Sequence, residues 1–327
     1  MNLRNIDPAK RLDVVSVGSW TNFDHLFRVD RLPAPGDTVR ITSPIADIET
    51  VYWGGCAPNN VAAAAKLGAK AGLITVVGED FAARGYHDYL SSLGVDLNGL
   101  IMIEGEHSGH SFLYADPHGD AICLSHVGVS NRQDDYEPNV AVLSAAKVVI
   151  INYQFDQFTY KAAQAAHEAG CLVITSGNLA TSTHYVEEIL RNTDLLICTE
   201  HELGILLHQL GQTGHPSWLY QIGVQAILET HGVDGCIIRS PSDHSKIPAI
   251  LSKNMVDPVG AGDGFAGGVA TGLAFGWKLE DAARLGAVVA SFIVEAVGCQ
   301  TNQPSFELAT KRLKDNGVLI PTSRINS

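Results

Sequence analysis

The chain has 327 residues, of which 46% are hydrophobic and 17% charged, a composition typical of a globular protein with a large buried core. Its formal net charge of -13 argues against nucleic acid or an anionic membrane as the main partner, because both attract clustered Lys and Arg. The six cysteines form no C-x-x-C pair and no Cys/His cluster, so the sequence suggests neither a zinc site nor a disulfide framework.

Residues 1–11 carry Arg4, Lys10 and Arg11 but no apolar run, unlike a secretory signal. No later segment has the uninterrupted apolar length of a transmembrane helix. We therefore expect a cytoplasmic protein with no membrane partner. One domain is predicted over residues 12–320, with short tails at 1–11 and 321–327.

Short apolar runs alternate with helical patterns through most of the chain. Strands are predicted at residues 14–18, 71–77, 148–151, 172–174, 195–198 and 226–228. Helices are predicted at 58–67, from near residues 158, 182, 200 and 216, and after residue 263 through 275, 279–297 and 306–313. The alternation predicts an α/β fold, in which a mostly parallel central sheet is covered by helices on both faces.

Two regions interrupt this alternation, residues 27–53 and 109–127, where extended segments are joined by tight turns. We expect them to form a small second sheet. Inserted at the ends of parallel strands, such a sheet would lie over the crevice where open α/β folds bind ligands, and it could act as a lid that excludes water. The alternative is a surface decoration without a role.

The most informative stretch is residues 257–268, D-P-V-G-A-G-D-G-F-A-G-G, at the predicted start of an apolar helix. Gly260 and Gly262 can adopt backbone angles closed to other residues, so that consecutive N–H groups can form an anion hole that the helix dipole reinforces. Asp263 stands at its edge, where a general base could accept the proton of a substrate hydroxyl. Phosphoryl transfer to an alcohol is the leading hypothesis. The alternative is that the glycines only allow close helix packing and that Asp263 is an ordinary first-turn carboxylate.

Two other phosphate-binding motifs do not match the residues of this stretch. A dinucleotide fingerprint needs glycine at the sixth position of G-x-G-x-x-G, and counting from Gly260 that position is Phe265. A Walker A loop needs Gly-Lys followed by Ser or Thr, and no lysine lies between Lys253 and Lys278. Neither a Rossmann nor a P-loop nucleotide site is therefore predicted.

With these residues assembled, the chain resembles the ribokinase-like, or PfkB, family of carbohydrate and nucleoside kinases from Val14 to about Leu313. The family signature D-T-x-G-A-G-D is matched by residues 257–263, with Pro258 in place of the usual Thr. The resemblance implies a ribokinase-like fold with a β-sheet lid. It also implies that Asp263 is the catalytic base at the bound acceptor, and that the amides of Gly260, Ala261 and Gly262 form the hole for the transferring phosphoryl group.

The N-terminal part of the resemblance concerns the acceptor. Residues 54–59, G-G-C-A-P-N, are similar to the family's G-G-x-x-x-N segment, in which Gly54 and Gly55 let the backbone approach a sugar and Asn59 hydrogen-bonds its hydroxyls. Residues 18–24, G-S-W-T-N-F-D, are similar to the family's G-S-x-x-x-x-D segment, which places Asp24 on a sugar hydroxyl, with Asn22 beside it. For each residue alone, turn or cap chemistry is the alternative.

The resemblance implies ATP as the phosphoryl donor. Thr230, Gly232 and Gly235 match the family's T-x-G-x-x-G hairpin along the phosphates, although this pattern also describes an ordinary hairpin turn. Residues 290–302, which end at Asn302, fall where family members enclose the adenine. The amino-acid sequence of that segment is most similar to the nucleoside kinase branch.

Metal ions are implied in the same way. Glu202 falls at the Glu of the family's N-x-x-E motif, which organises Mg²⁺ through water, while Thr199 replaces the Asn and leaves the local geometry open. In some members a K⁺ ion is held near the anion hole, which here would involve Asp257 and Val259.

These patterns predict an ATP-dependent kinase that phosphorylates the primary hydroxyl of a ribose-type sugar or nucleoside, with no nucleic-acid partner and with a homodimer through the lid as an option. A phosphorylated acceptor is disfavoured because the lid segments hold few basic residues. Two alternatives stay open, a kinase for another sugar such as a hexose or sugar acid, and a catalytically silent sensor on the same fold. A base-stacking role for one of the aromatic residues near the pocket, such as Trp20 or Tyr153, is weighed against simple packing.

Overall fold

The structure is a computed structural model. It describes residues 1, 3–18, 20, 22–44, 48–118, 121–182, 184–212, 216–242 and 244–321. Ser19 and Thr21 of the N-terminal motif, the tip of the second predicted lid turn at 119–120, and nearly all of the predicted tail at 321–327 lie outside the described residues.

The core of the fold is a nine-stranded sheet in the order β13-β12-β11-β10-β9-β8-β1-β4-β5, as far as the described residues show. Its strands are β1 (Leu12–Val17), β4 (Ala71–Gly78), β5 (Asp96–Ile103), β8 (Ala146–Ile151), β9 (Leu172–Ser176), β10 (Leu195–Thr199), β11 (Ala226–Thr230), β12 (Cys236–Arg239) and β13 (His244–Ile247). The seven strands from β11 to β5 are parallel, and β12 and β13 are antiparallel to their neighbours. The predicted mostly parallel sheet is confirmed.

Helices cover both faces of this sheet. They are α1 (Cys56–Lys66), α2 (Asp80–Ala83), α3 (Tyr86–Ser92), α4 (Val140–Ser144), α5 (Gln157–Glu168), α6 (Val186–Arg191), α7 (Glu200–Gln209), α8 (Ser217–Gln221), α9 (Ala261–Ala274), α10 (Leu279–Ile293) and α11 (Phe306–Asp315). Alternate strand residues point to opposite faces, so Val14 packs into the core beneath α1, α9 and α10, while Val15 packs into the core beneath α5 and α6. Strands buried on both sides are typical of a doubly covered parallel sheet.

A second sheet of four strands lies apart from the main one, in the order β3-β2-β6-β7. Its strands are β2 (Phe23–Arg28), β3 (Tyr52–Trp53), β6 (His110–Ala115) and β7 (Ala121–His126). The pair β2 and β6 is parallel, and the other two pairs are antiparallel. This sheet begins at Phe23, four residues before the predicted start of the lid, so Asp24 lies in a lid strand and not in the turn after β1.

Two parts of the main sheet have no counterpart among the predicted elements. The strand β5 includes Asn98 and Gly99 and is partly exposed along its length, so its sequence lacks the apolar run of the central strands. The short β12 and β13 form an edge hairpin in which His244 and Lys246 are exposed. Edge strands carry weak apolar signals because they have fewer neighbours to pack against.

The predicted N-terminal tail is docked against the domain. Leu3 is buried, and the amino group of Met1 forms an ion pair with Glu280 at the start of α10. Arg4 donates to the backbone carbonyls of His167 and Cys171. Across the described part of the chain, no helix combines the length and apolar character needed to cross a membrane.

Candidate active site

The predicted site residues are divided between the wall of a cavity of about 290 Å³, which lies between the lid sheet and the main sheet, and positions outside that wall. Six of them contribute to its wall, which contains Asp24, Gly55, Asn59, Val259, Gly260 and Asp263. The same wall also contains Trp20, Cys56, Ser111, Tyr153 and Cys299. We call this space the acceptor cavity. A larger cavity of about 540 Å³ adjoins it across Leu113 and Val259, between the lid and the loop at 255–259.

The first turn of α9 lies at the wall of the acceptor cavity. Gly260 precedes the helix with φ of 79°, in the left-handed region that favours glycine. A Cβ at Gly260 would lie 2.6 Å from Cβ of Cys299, so the position also lacks space for a side chain. The Ala261 amide donates to Pro258 at 3.3 Å, whereas the next amides lie in the turn where a helix has no internal acceptors. This helix terminus can stabilise an anion.

Close packing of α9 against α1 brings two asparagines to Asp263. A Cβ at Gly267 of α9 would lie 2.6 Å from the carbonyl oxygen of Asn60, so only glycine permits this approach. Asn59 Nδ2 then donates to Asp263 Oδ2 at 2.8 Å, and Asn60 Nδ2 donates to the Asp263 carbonyl at 2.7 Å. The orientation of Asp263 is therefore set from α1 as well as from its own helix.

Burial raises the pKa of the Asp263 carboxyl, and the hydrogen bonds from Asn59 and Cys56 offset part of this effect. A carboxylate that has lost hydration is a stronger base than one in water. The hydrogen bond from Asn59 favours the ionised form of Asp263, which is the form that can take a proton from a hydroxyl group. The arrangement is therefore suited to general-base chemistry.

Asp24 is the second carboxylate of the cavity and is only 4% exposed. Burial raises its pKa to about 6, although Ser111 Oγ donates to one carboxyl oxygen and Cys299 Sγ donates to the other at 3.5 Å. A Cβ at Gly54 would lie 2.1 Å from Asp24 Oδ2, so the first glycine of the Gly-Gly pair makes room for this carboxylate. The neighbouring Asn22 is fully buried, and its backbone carbonyl accepts from the Gly54 amide at 2.9 Å.

Replacing Asp24 by Asn is expected to stabilise the fold above pH 6 by up to about 3 kcal/mol, which is the free energy of a pKa change from 3.8 to about 6. Because the pKa of Asp24 is higher in the folded state than in the unfolded state, its contribution to stability is fully present below the pKa of the unfolded state. That contribution is lost as pH rises through the pKa of the folded state. Asn stays neutral, so the gain of Asp24→Asn over the wild type should grow between about pH 4 and 7. Urea unfolding across this range measures it.

The control for this measurement is Asp96→Asn. Burial would raise the pKa of Asp96, but hydrogen bonds from Asn98 and Arg11 outweigh it and lower the pKa. The stability of that variant relative to wild type should therefore fall with rising pH over the range where the carboxyl ionises. A pH-independent effect of Asp24→Asn would contradict the prediction.

Asp257 connects the loop before α9 to the loop after α10. Its Oδ1 accepts from the Val259 amide at 3.1 Å and its Oδ2 accepts from the Gly298 amide at 3.3 Å. The side chain is 7% exposed. Asp257 therefore orients the backbone at Val259, which borders the acceptor cavity, and it is not directed at the cavity itself.

The residues predicted for the nucleotide lie at the end of β11, beside β10. Thr230 is paired in register with Thr199, and the turn that follows holds Gly232 with φ of 54° and Gly235 with φ of 91°. A Cβ at Gly235 would lie 2.1 Å from the Ile247 carbonyl, whereas the space around Gly232 is open. Asn302 has a local role, since its Nδ2 donates to the Phe292 carbonyl at 2.6 Å.

Glu202 caps the helix in which it lies. The Thr199 hydroxyl accepts from the Glu202 amide at 3.1 Å, and Glu202 Oε2 accepts from the Thr199 amide at 2.8 Å, which is a capping box. The departure from the family pattern at Thr199 therefore has a structural explanation. Burial is the largest cause that raises the pKa of Tyr153, and the negative charges of Glu202 and Asp263 raise it further. Both carboxylates therefore lie near this hydroxyl.

Several contributors to the site were not singled out from the sequence, among them Cys56, Ser111, Cys299 and Gln300. Ser111 carries no signal beyond its place in a predicted lid segment. Cys299 and Gln300 lie in the segment that the resemblance assigns to the adenine and a cation, yet they contact the acceptor side. Their contacts join residues far apart in the chain, and no local pattern encodes such contacts.

The comparisons with known proteins agree on one family. The family model for pfkB carbohydrate kinases matches residues 12–305. A nucleoside kinase of Methanocaldococcus jannaschii is 27% identical over 314 residues, covering 94% of this chain and 99% of that protein. An ATP-dependent ribose-1-phosphate kinase of Halopiger xanaduensis is 31% identical over 281 residues, covering 85% of this chain and 91% of that protein.

A solved structure is similar over the same length. The crystal structure of the Methanocaldococcus jannaschii nucleoside kinase, an archaeal member of the ribokinase family, superposes with a TM-score of 0.82 at 28% identity. The match covers 93% of this chain and 99% of that one. The two-sheet architecture described above is therefore a ribokinase-like fold.

Proposed function

Because the chain belongs to the pfkB family of carbohydrate kinases and is an ATP-dependent sugar or nucleoside kinase, we propose that its acceptor is the primary hydroxyl of a nucleoside or ribose-type sugar. The observation that carries the proposal is the placement of Asp263. It lies at the first turn of α9, in the wall of the acceptor cavity, with a raised pKa and with Asp24 in the same wall.

In the proposed reaction Asp263 accepts the proton of the acceptor hydroxyl. The freed oxygen forms a bond to the γ-phosphorus of ATP, and the bond from that phosphorus to the bridging oxygen breaks, so that ADP leaves. The amides of residues 260–262 stabilise the charge on the transferring group, with the Ala261 amide shared between that group and the Pro258 carbonyl. Asp24 and Asn59 hold hydroxyl groups of the acceptor, because both are buried polar side chains in the wall of the acceptor cavity.

The lining of the acceptor cavity favours an acceptor without a phosphate group. None of its described residues is Lys, Arg or His, and Asp24 would repel an anion. One relative is a ribose-1-phosphate kinase, so an acceptor without a phosphate group would distinguish this chain from that relative. Trp20 and Tyr153 pack edge to face at 6.4 Å beside the polar groups, where an aromatic base could contact them. This favours an uncharged nucleoside or free pentose.

On the donor side, Thr230 and the turn at Gly232–Asp234 are proposed to hold the phosphates of ATP, with Asn302 near the adenine. The open space around Gly232 fits a ligand that approaches the backbone closely. Glu202 fits a magnesium site through water, because only its Oε2 is used in the capping box. A bound Mg²⁺ would neutralise charge on the phosphate oxygens.

Replacing Glu202 by Gln should raise the Mg²⁺ concentration for half-maximal activity several-fold without changing acceptor affinity. Gln can still accept the hydrogen bond from the Thr199 amide, so the cap remains while the negative charge is lost. A magnesium titration of kcat at saturating substrates measures this. Thr199→Asn is the matched control, because it keeps an N-cap and should leave the requirement unchanged. An unchanged requirement in Glu202→Gln would point to the neighbouring Glu200.

We also propose a K⁺ site at the backbone of Asp257 and Val259. The Asp257 carboxylate already organises this loop through the amides of Val259 and Gly298. A cation bound there would lie beside the first turn of α9 and would offset negative charge near the anion hole.

The outer face of the lid is the surface that we propose for contact between two copies of the chain. All residues of β7 are exposed, with Leu124 at 60% and Ile122 at 37%. Their cross-strand partners Phe112 and Tyr114 share that face, since Cys123 points to the acceptor cavity. An exposed apolar sheet face of this kind is typical of an association surface. Sedimentation of wild type and Leu124→Glu over a range of concentrations measures the oligomeric state.

The acceptor is identified by measuring ADP release against nucleosides, pentoses, hexoses and hexose phosphates, with Asp263→Asn as the blank. We expect the highest kcat/KM with a nucleoside or free pentose. A preference for a hexose or a sugar acid would retain the kinase and overturn the acceptor assignment. Turnover only with phosphorylated sugars would overturn the acceptor assignment and point to the adjoining cavity, which contains Arg28 and His118, as the place to test for a phosphate group.

A further inference from the structure

Three consecutive residues after α10 each donate a hydrogen bond to a different polar group of the site. The Gly298 amide donates to Asp257, the Cys299 thiol donates to Asp24, and Gln300 Nε2 donates to Asn59 Oδ1 at 2.8 Å. The segment at 298–300 therefore contacts the anion-hole loop, the acceptor carboxylate and the residue that holds Asp263.

The contact between Gln300 and Asn59 decides which way the Asn59 amide points. An ionised carboxylate can only accept hydrogen bonds, so Asn59 must present its NH₂ group to Asp263. Its oxygen then faces the opposite side and requires a donor. Asn59 is 1% exposed, so water cannot readily supply one, and Gln300 does. If this position offered only an acceptor, the Asn59 amide would be driven to turn around.

We propose that Gln300 is a positioning residue for phosphoryl transfer, which fixes the Asn59 amide so that its NH₂ group donates to Asp263. The inference rests on the function proposed above, in which Asp263 is the base. Gln300 itself does not contact the acceptor cavity. It acts through Asn59.

The surroundings of Gln300 hold it in this role. Its Nε2 also donates to the Tyr86 hydroxyl at 2.5 Å, and that hydroxyl donates to the Gly54 carbonyl at 2.8 Å. Lys66 Nζ donates to the Gln300 backbone carbonyl at 3.0 Å. Gln300 Oε1 is buried with no hydrogen-bond partner in the described structure, so the side-chain hydrogen bonds of Gln300 in this network are made by Nε2. Since Nε2 contacts two acceptors, rotation of the Gln300 side chain would break both hydrogen bonds.

The test is Gln300→Leu, which keeps the volume and removes the donors. We expect kcat to fall about tenfold, in line with one lost hydrogen bond at the upper end of its usual effect. Gln303→Leu is the matched control, because Gln303 is equally buried but donates to the Asn59 backbone carbonyl, at 3.1 Å, and not to the side chain. It should stay within about twofold of wild type.

Two measurements separate positioning from general loss of structure. In an Asn59→Ala background, Gln300→Leu should change kcat by less than about twofold, because its effect passes through the missing amide. The acid limb of the kcat profile should move to higher pH in Gln300→Leu, since the Asn59 amide is no longer held with its NH₂ group toward Asp263. The other groups near Asp263 are Cys56, Asp24, Cys299 and Tyr153, and all are retained.

The same variants give a readout that does not need the proposed reaction. The side-chain ¹⁵N resonance of Asn59, assigned by its loss in Asn59→Ala, should shift in Gln300→Leu and stay in place in Gln303→Leu. Gln300→Glu provides a second variant of equal size, and its acceptor-only carboxylate should lower kcat further than Leu. An unshifted resonance, or equal losses of kcat with and without Asn59, would overturn the positioning role. If Asp263→Asn is active, the proposed base fails, while the resonance still decides the role of Gln300.

Discussion

Replacing Asp263 by Asn is expected to lower kcat by about two to four orders of magnitude, the range typical of losing general-base catalysis. The amide cannot accept the proton of the acceptor hydroxyl. Its carbonyl oxygen can still accept the hydrogen bond from Asn59, so the local packing should persist. Burial raises the pKa of Asp263, so removing its charge should leave the fold as stable as wild type or more stable at neutral pH.

The measurement is single-turnover and steady-state kinetics with ATP and the best acceptor, together with calorimetric ATP binding and thermal unfolding. ATP affinity should change by less than about threefold, because Asp263 contacts the acceptor side. Activity within a few-fold of wild type would remove Asp263 from the mechanism. A loss of activity with an equal loss of folded protein would not support a specific catalytic role.

Replacing Gly260 by Ala is expected to lower kcat about a hundredfold or more. The left-handed conformation costs a non-glycine residue about 1 to 2 kcal/mol. The added methyl group would also lie within 3 Å of both Cβ and Sγ of Cys299, so either the start of α9 or the loop that carries Cys299 must move. Asp263 and its neighbouring amides belong to the same helical turn. Their displacement by even a fraction of an ångström weakens the stabilisation of developing charge.

Gly94→Ala is the matched control for this variant. Gly94 has φ of 76°, against 79° for Gly260, but nothing lies within 4 Å of the position of its added Cβ. It lies in the exposed turn between α3 and β5. Both variants should lose a similar stability from the backbone, whereas only Gly260→Ala should lose activity. Equal kcat values for the two variants would show that the contact with Cys299 has no catalytic consequence.

The predictions for Asp24→Asn and Asp263→Asn share a physical cause. The two carboxylates of the acceptor cavity are buried beside each other, and burial raises the pKa of both. Each would be more stable in the fold as a neutral group at neutral pH, yet the proposed chemistry needs their charge. A site of this kind is expected to reduce fold stability in exchange for reactivity.

The class of fold was predictable because it depends on short-range patterns. Buried parallel strands need continuous apolar runs, as at Val14 and Val148, and their crossover helices lie between them in the chain. The strand β5 and the hairpin β12–β13 were missed because edge strands need less apolar surface. The start of the lid was placed four residues late, since the pairing of β2 with β6 is a contact across some 87 residues and leaves little mark on the local sequence.

The sequence by itself indicated the glycine turn before α9 and the position of Asp263 near the start of that helix, because backbone freedom and side-chain chemistry are local properties, and its resemblance to the family pointed to Asp24 and Asn59. Only the tertiary structure decided how these residues act together. Asn59 meets Asp263 because Gly267 lets α9 approach α1, and Gln300 meets Asn59 because the loop after α10 returns to the same place. Such contacts depend on how whole elements pack, and packing is a property of the complete fold.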